Sequence, residues 1–325
     1  MDLSPPDLPV GMCVLERGWL SANSIVFLPV DGDLKDVLDS DTAGAAVVDT
    51  GYVSHATQTL ALIEAQLGDL PLTRILNTHL HSDHCGGNAL LQQRWPAVQT
   101  LIAPGQAELV RQWNAEALGY APTGQECPQF AMTAVLAPGS TLRLSGRDWQ
   151  VHAAAGHDPH SIILFEPQSR VLISADALWE NGFGVVFPEI EGIAAFDEVA
   201  ATLDVIEKLQ PATVIPGHGS VFSTVAEALA VARRRLDGFV RTPERHASYA
   251  AKVLIKYKLL DWQSIALTEL QAWVQSTHYL RLLHERYFAD EAFDAWLERL
   301  VNELIASKAA VREVNAQGQQ ILANI

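Results

Sequence analysis

Residues 79–84 read His-Leu-His-Ser-Asp-His, three imidazoles and a carboxylate within six positions of a 325-residue chain that holds 11 histidines in all. A polar turn with incidental histidines would not concentrate them so densely, whereas clusters of this type and spacing are what divalent metals require. Residues two apart on an extended segment point the same way, so His79 and His81 can offer ring nitrogens to one ion. Asp83 and His84 fall where the chain turns into a following helix and reach a different point in space. One strand end is therefore expected to serve two metals. A helical pair of histidines would need i, i+4 spacing inside a helical pattern. Residues 74–77 read instead as a strand, so the cluster is a strand-end loop that runs into Gly86-Gly87.

Four further residues sit in the same kind of place. Asp49 follows Val47-Val48, His157 follows Ala153-Ala154-Ala155-Gly156, Asp176 follows Leu172-Ile173-Ser174-Ala175, and His218 follows Ile215-Pro216-Gly217. Each is a ligand-type side chain delivered at the end of an apolar strand beside small residues, and this recurrence carries more weight than any single match.

The elements that must position these residues alternate between strand and helix. Strand-like runs occur at 13–15, 24–28, 45–48, 74–77, 99–103, 141–144, 149–154, 161–165, 170–174 and 213–215. Helical spacing of apolar residues occurs at 57–67, where Leu60, Ile63 and Leu67 form a stripe, and at 88–94, 106–118 and 196–209. Residues 119–128 are turn-rich and are expected to loop over the surface. Strands interleaved with helices imply an α/β layered domain with helices on the outer faces of its sheets.

With these five elements in order over residues 10–222, the chain resembles the metallo-β-lactamase-fold hydrolase superfamily. The resemblance implies an α/β, four-layer αββα domain over residues 1–224. It places His79, His81 and His157 on one metal and Asp83, His84 and His218 on the other, with Asp176 bridging them. Imidazole and carboxylate donors suit zinc, and iron or manganese also accept such a set. The implied chemistry is that of a dinuclear hydrolase in which a metal-bridging hydroxide attacks a small carbonyl ester, a thioester or lactone, as in the glyoxalase II and lactonase branches. Asp83 would also orient the nucleophile. Asp49 would position the cluster from behind, with capping of the turn into Thr50-Gly51 as the plainer alternative. Relatives that open β-lactams typically lack an Asp at the position of Asp176, and sulfur dioxygenase relatives use a single iron, so neither activity is expected.

Other residues near the cluster admit two readings each. His160 either touches substrate or bonds local backbone, and the second is favoured. Residues 179–188, WENGFGVVFP, either wall a pocket for a partly apolar substrate or pack beneath a loop. Cys85, directly after His84, is expected to be a small buried residue at a helix start. His55, His152, His246, His278 and His284 have no partner at ligand spacing and are expected to be structural.

Residues 225–325 change character. Helical patterns at 225–240, 245–257, 268–274 and 291–307 are followed by two short strands around Gly318. Helices followed by a hairpin resemble a winged-helix module, so this mainly helical C-terminal domain is expected either to wall the active site or to support a homodimer. Such a module, with Arg233-Arg234-Arg235 and Lys252, Lys256 and Lys258, also raises the alternatives of a phosphodiesterase or nuclease on the same metals, or a nucleic-acid-binding protein. Charge opposes both. The formal net charge is -16, with 9 basic against 26 acidic residues up to position 224 and 13 against 12 beyond it. A polyanion is repelled by such a field, and a small-molecule substrate is expected.

Three cysteines, Cys13, Cys85 and Cys127, suit a reducing compartment better than a disulfide framework. No apolar run approaches the roughly twenty residues that span a bilayer. The stretch Met1-Asp2-Leu3-Ser4-Pro5-Pro6 lacks a basic n-region and an apolar h-region. A cytoplasmic location away from membranes is the expectation.

Overall fold

The computed structural model describes residues 8–30 and 44–325; the N-terminal stretch read above for a secretion signal lies outside the described residues. The first half builds a six-stranded sheet from β1 (Met12–Leu15), β2 (Ser24–Phe27), β3 (Ala45–Val48), β4 (Leu72–Leu76), β5 (Gln99–Ile102) and β6 (Ala134–Val135), in that spatial order. Its helices are α1 (Ala56–Leu67), α2 (Ser82–Cys85), α3 (Asn88–Arg94), α4 (Ala107–Gln112) and α5 (Tyr120–Thr123). A five-stranded sheet follows: β7 (Thr141–Leu144), β8 (Arg147–Ala153), β9 (Ile162–Glu166), β10 (Val171–Ala175) and β11 (Thr213–Pro216), ordered β11-β10-β9-β8-β7. Helices α6 (Phe187–Glu191), α7 (Phe196–Leu209) and α8 (Val225–Arg241) accompany it.

Period-two alternation explains why the two sheets stack. Ile25 and Phe27, Ala46 and Val48, Ile162 and Leu164, Val171 and Ile173 all face one shared core, with Phe27 edge-on to Trp149 at 5.2 Å. The intervening residues face outward. Val26, Ala45 and Val47 pack with Ile63, Leu67 and Leu91 of α1 and α3, while Ile163, Phe165 and Leu172 pack with Val199, Leu203 and Ile206 of α7. Four layers result, helix on sheet on sheet on helix. Fully burying one such aliphatic side chain contributes roughly 1.5–3 kcal/mol, so both faces of each sheet are strongly specified.

This topology sets the site. Strands β3 and β4 are parallel, as are β10 and β11, and two antiparallel pairings make β8 run with β10. The C-terminal ends of β3, β4, β8, β10 and β11 therefore gather along one edge of the sandwich. Asn23 ties the sheets together there: its N–H donates to Gly217 O at 2.7 Å and its amide to Pro216 O and Gly219 O at 2.9 and 2.8 Å.

The chain continues through α9 (Pro243–Trp262), α10 (Leu267–Ser276), α11 (His278–Tyr287) and α12 (Phe293–Ala306), with β12 (Ser264–Ala266), β13 (Ala310–Val314) and β14 (Gln320–Asn324) forming a small sheet in the order β12-β14-β13. The helices are followed by the hairpin β13–β14, and the earlier β12 pairs with its second strand. The helices have their own core around Trp296, Leu254 and Leu280, which also takes in Ile190 of α6 and Val185 just before it. Among the described residues no helix is long and apolar enough to cross a membrane.

Two segments depart from the sequence reading. The helix expected over 106–118 stops at Gln112, because Trp113 adopts a left-handed φ of 51° that ends the turn. Residues 119–128 do not simply loop over the surface. Tyr120 and Thr123 are buried in the short helix α5, Tyr120 packs with Leu80 and Cys85 behind the histidine cluster, and α5 touches α11. Helix α11 is not among the expected helices, although Tyr279, Leu280, Leu283 and Tyr287 recur at helical spacing along it; β6, β12 and α6 span two, three and five residues and carry no periodic signal.

Candidate metal centre

The seven ligand-type side chains converge at this edge. Ring nitrogens of His79, His81 and His157 lie within 4.8 Å of one another, and so do the donor atoms of Asp83, His84 and His218; His79, His84 and Asp176 form a third such group between them. His81 Nδ1 is 3.0 Å from His79 Nε2 and 2.8 Å from His157 Nε2. On the other side His218 Nε2 is 3.1 Å from Asp83 Oδ2. Asp176 turns one oxygen toward each group: Oδ2 is 3.3 Å from His157 Nε2, while Oδ1 is 3.5 Å from His84 Nε2 and 3.9 Å from His218 Nε2.

Hydrogen bonds on the far side of the His157 and His84 rings fix which of their nitrogens faces the centre. His157 Nδ1 donates to Val185 O at 2.5 Å and His84 Nδ1 to Asp49 Oδ2 at 2.7 Å. His84 Nε2 is then a buried atom with no hydrogen-bond partner among the described residues, aimed between two carboxylates. An orphaned nitrogen of this kind, beside three imidazole nitrogens crowded together, fits a site for cations rather than a self-contained network. Asp49 does not reach the centre. It takes the Thr78 N–H at 3.0 Å and the Thr78 hydroxyl at 2.8 Å on top of His84, and so holds the whole turn after β4.

Electrostatics agree with that fit. Burial and the neighbouring His84, His81 and His157 hold His79 well below the usual imidazole range. Burial and His157 push His81 down to about 4. Both therefore offer lone pairs at neutral pH. At His84 burial opposes charge, but Asp49, Asp176 and Asp83 outweigh it and raise the ring well above its usual range. Burial would lift Asp176, yet His84, His218 and His157 hold its carboxyl well below the ordinary carboxylate range. The carboxylates thus stay ionised and call for positive charge among them.

Local backbone geometry serves the same end. Asp49 and Ala175 have φ of 58° and 47°, left-handed conformations at the very strand ends that deliver Asp49 and Asp176. Each costs about 1–3 kcal/mol and persists because its surroundings hold it. Gly217 is needed for packing: a Cβ there would overlap Asp176 Oδ1 and sit 3.0 Å from His84 Cε1.

Trp179 and His160 fall among the residues that admitted two readings, while Asp158 and three tyrosines carried no signal in the sequence. Trp179 Nε1 donates to Asp176 Oδ1 at 3.2 Å, so residues 179–188 both wall the site and orient it, while Phe183 packs in the core. Asp158 is buried with Oδ2 3.9 Å from His81 Nε2, and its Oδ1 accepts the His160 N–H at 2.7 Å. His160 itself lines the cavity. That cavity, of about 350 Å³, opens over His81, Asp83, His157, Asp176 and His218, and Tyr249, Tyr257 and Tyr279 from α9 and α11 close its far side. The C-terminal helices therefore wall the centre. A single tyrosine carries no spacing signal that would have marked it.

The remaining histidines stand apart. His55 pairs with Ser21, His152 with Gln150, and His284 with the Glu291 carbonyl. His278 lies beside Tyr279, and His246 accepts the Val186 N–H at 3.0 Å. Cys85 is buried with its sulfur on the Leu80 and His81 carbonyls, Tyr120 and Cys127, away from the donor atoms. All three cysteines are free thiols.

Comparison with known proteins agrees with this arrangement. The sequence profile of the Metallo-beta-lactamase superfamily matches residues 37–218. A hydroxyacylglutathione hydrolase of Synechococcus sp. (strain JA-3-3Ab) is 30% identical over 219 residues, which are 67% of this chain and 73% of that protein. One from Dechloromonas aromatica (strain RCB) is 33% identical over 191 residues, 59% of each chain. Among solved structures, a beta-lactamase domain protein from Burkholderia ambifaria aligns over 100% of this chain and 97% of its own, with a TM-score of 0.58 at 20% identity. A metallo-beta-lactamase family protein from Thermus thermophilus aligns over 98% and 100%, with a TM-score of 0.54 at 17% identity. Both alignments run through the C-terminal helices and show the same fold. The match of family profile, relatives and ligand-bearing strand ends makes this chain a hydrolase that belongs to the metallo-beta-lactamase superfamily.

Proposed function

We propose that the protein is a dinuclear metal-dependent hydrolase of small carbonyl esters, with thioesters as its substrate class. The observation that carries this reading is Asp176, whose two oxygens face two separate ligand groups 3.3 Å and 3.5 Å away. His79, His81 and His157 would hold one cation, Asp83, His84 and His218 the other, and Asp176 both. The N/O donor set favours zinc. Two divalent cations so held supply a water of lowered pKa as nucleophile and polarise a substrate carbonyl.

The protein's own part is placement and shielding. Asp83, at the cavity surface and 3.1 Å from His218 Nε2, is positioned to orient the attacking water. Asp49 is a positioning residue that acts through His84. Trp179, Phe187 and the tyrosines of α9 and α11 cover the reacting carbonyl and lower the local dielectric. The thioester preference rests on the hydroxyacylglutathione hydrolases that the chain is similar to.

Charge weighs against nucleic acid as partner. Helix α12, which precedes the hairpin where a winged helix would read a groove, turns Asp294 and Glu298 outward. Its Arg299 is paired with Glu291 and Glu303, and Arg312 of β13 with Glu298. Arg233 is likewise paired with Asp204 and Glu207, and Lys258 lies over Trp262 beside Asp261. Arg233, Lys258, Arg299 and Arg312 are thus matched by carboxylates of the protein itself rather than presented together to a polyanion.

The test is a hydrolysis panel of thioesters, lactones and phosphodiesters on protein of defined metal content. Thioester turnover that disappears on chelation and returns with zinc is expected. Turnover of phosphodiesters alone would contradict the reading.

A further inference from the structure

A second cavity, of about 500 Å³, continues from the first. The two share Trp19, Trp179, His218, Tyr249, Val253 and Tyr257, so the centre lies at the elbow of one two-armed cleft. Trp19 stacks on the His218 ring at 5.4 Å between centroids and is itself 54% exposed, an aromatic step over which a bound molecule passes from one arm to the other.

The two arms carry opposite charge. Carboxylates line the first: Asp158, Glu191 and Glu198 lie there in addition to Asp83 and Asp176, and among the described residues no Lys or Arg does. The second is lined by Arg235, Lys252 and Lys256, with Glu180 as its one carboxylate among the described residues. In a chain of net charge -16, three cations in one cavity are a local inversion of the field.

Two of these cations have no counter-ion among the described residues. Arg235 stands 4.1 Å above the Tyr249 ring and donates to the Asn181 carbonyl at 3.3 Å. Lys256 is held by the Ala309 carbonyl and the Asn324 side chain, and burial lowers its pKa. Lys252, one helical turn before Lys256 on the same face of α9, is paired with Glu303 at 2.7 Å. Half-buried cations without a carboxylate favour an anion brought in by a ligand. Val253, Leu260 and Leu304 give the second arm an apolar stretch, beside the uncharged polar Asn181, Ser220 and Ser307.

We propose that this cleft binds a substrate with an anionic end group, a phosphate or carboxylate, joined to the reacting carbonyl through an apolar spacer. The anion lies among Arg235, Lys252 and Lys256, and an uncharged group occupies the carboxylate-lined arm. Charge thereby decides which way round the molecule lies across the centre. Only the statement that a carbonyl is cleaved at the elbow rests on the function proposed above; binding of the anion does not.

The test uses the metal-loaded full-length protein and three non-hydrolysable thioether analogues. They share one spacer and differ only at the end group: phosphate, carboxylate or neutral carboxamide. Calorimetry is expected to give at least one anionic analogue an affinity about tenfold above the carboxamide, an advantage that shrinks as salt rises. Tighter binding of the phosphate or of the carboxylate then identifies the source of the anion. Lys256→Met and Arg235→Gln are each expected to reduce that ratio severalfold, and the wild-type comparison stands even where a variant folds poorly. Equal affinities for all three analogues, or no binding of either anionic one, would overturn the proposal. Anion preference without thioester hydrolysis would instead remove the proposed function and leave this inference standing.

Discussion

Asp49 and His84 are joined by a 2.7 Å bond between Oδ2 and Nδ1, and neither side chain is more than 3% exposed. The carboxylate fixes the tautomer of the ring and so directs its Nε2 to the centre. Removing a partner of this kind typically costs roughly 10–100-fold in metal affinity. Asp49→Ala is expected to weaken binding of one cation about that much while leaving the other, and Asp49→Asn to recover part of it. Titration with a competing chelator measures both. Two unchanged affinities in Asp49→Ala would reduce Asp49 to a turn cap.

Gly217 offers a steric probe of the same centre. The methyl of Gly217→Ala would overlap Asp176 Oδ1, so the carboxylate or the His218 loop must shift. A destabilisation of about 1–3 kcal/mol is expected, with activity falling much further than thermal stability. Full activity with a lowered melting temperature would show that the carboxylate position is not critical.

His246 gives a pH signature. Its Nε2 accepts the Val186 N–H at 3.0 Å, next to the Val185 carbonyl that takes the His157 proton. Burial, with Arg235 nearby, lowers its pKa from 6.5 to about 4. Between those values the unfolded chain binds the proton and the folded one does not. The stabilisation from neutral His246 is therefore complete above pH 6.5 and fades as pH falls through 4. It amounts to at most about 3 kcal/mol. His246→Gln is expected to flatten this part of the stability curve from pH 7 to pH 4. Denaturant unfolding at several pH values checks it, and an unchanged slope in the variant would contradict the assignment.

The legibility of this chain followed the strength of its periodic signals. Near-continuous apolar runs at 45–48, 161–165 and 170–174 announced strands buried on both faces, and the ligand-type residues after them marked the edge where they meet. Asp49 was visible as a strand-end acid, but its bond to His84 depends on a left-handed turn that no pattern encodes. The break after Gln112 and the inward packing of Tyr120 are tertiary choices, made because Leu80 and Cys85 needed cover. Asp158 and Trp179 sit one and three residues after His157 and Asp176 with no spacing signal of their own, whereas the tyrosines of α9 and α11 reach the site from distant elements. Their roles arise only when the helices close over the centre.

The central claim is that Asp176 is shared by two cations, and elemental analysis of wild-type and Asp176→Ala protein, purified in parallel, tests it most directly. Two metal ions per chain are expected in the wild type, with one ion and little activity in the variant. Two ions retained by Asp176→Ala would contradict the bridging role and the dinuclear reading built on it.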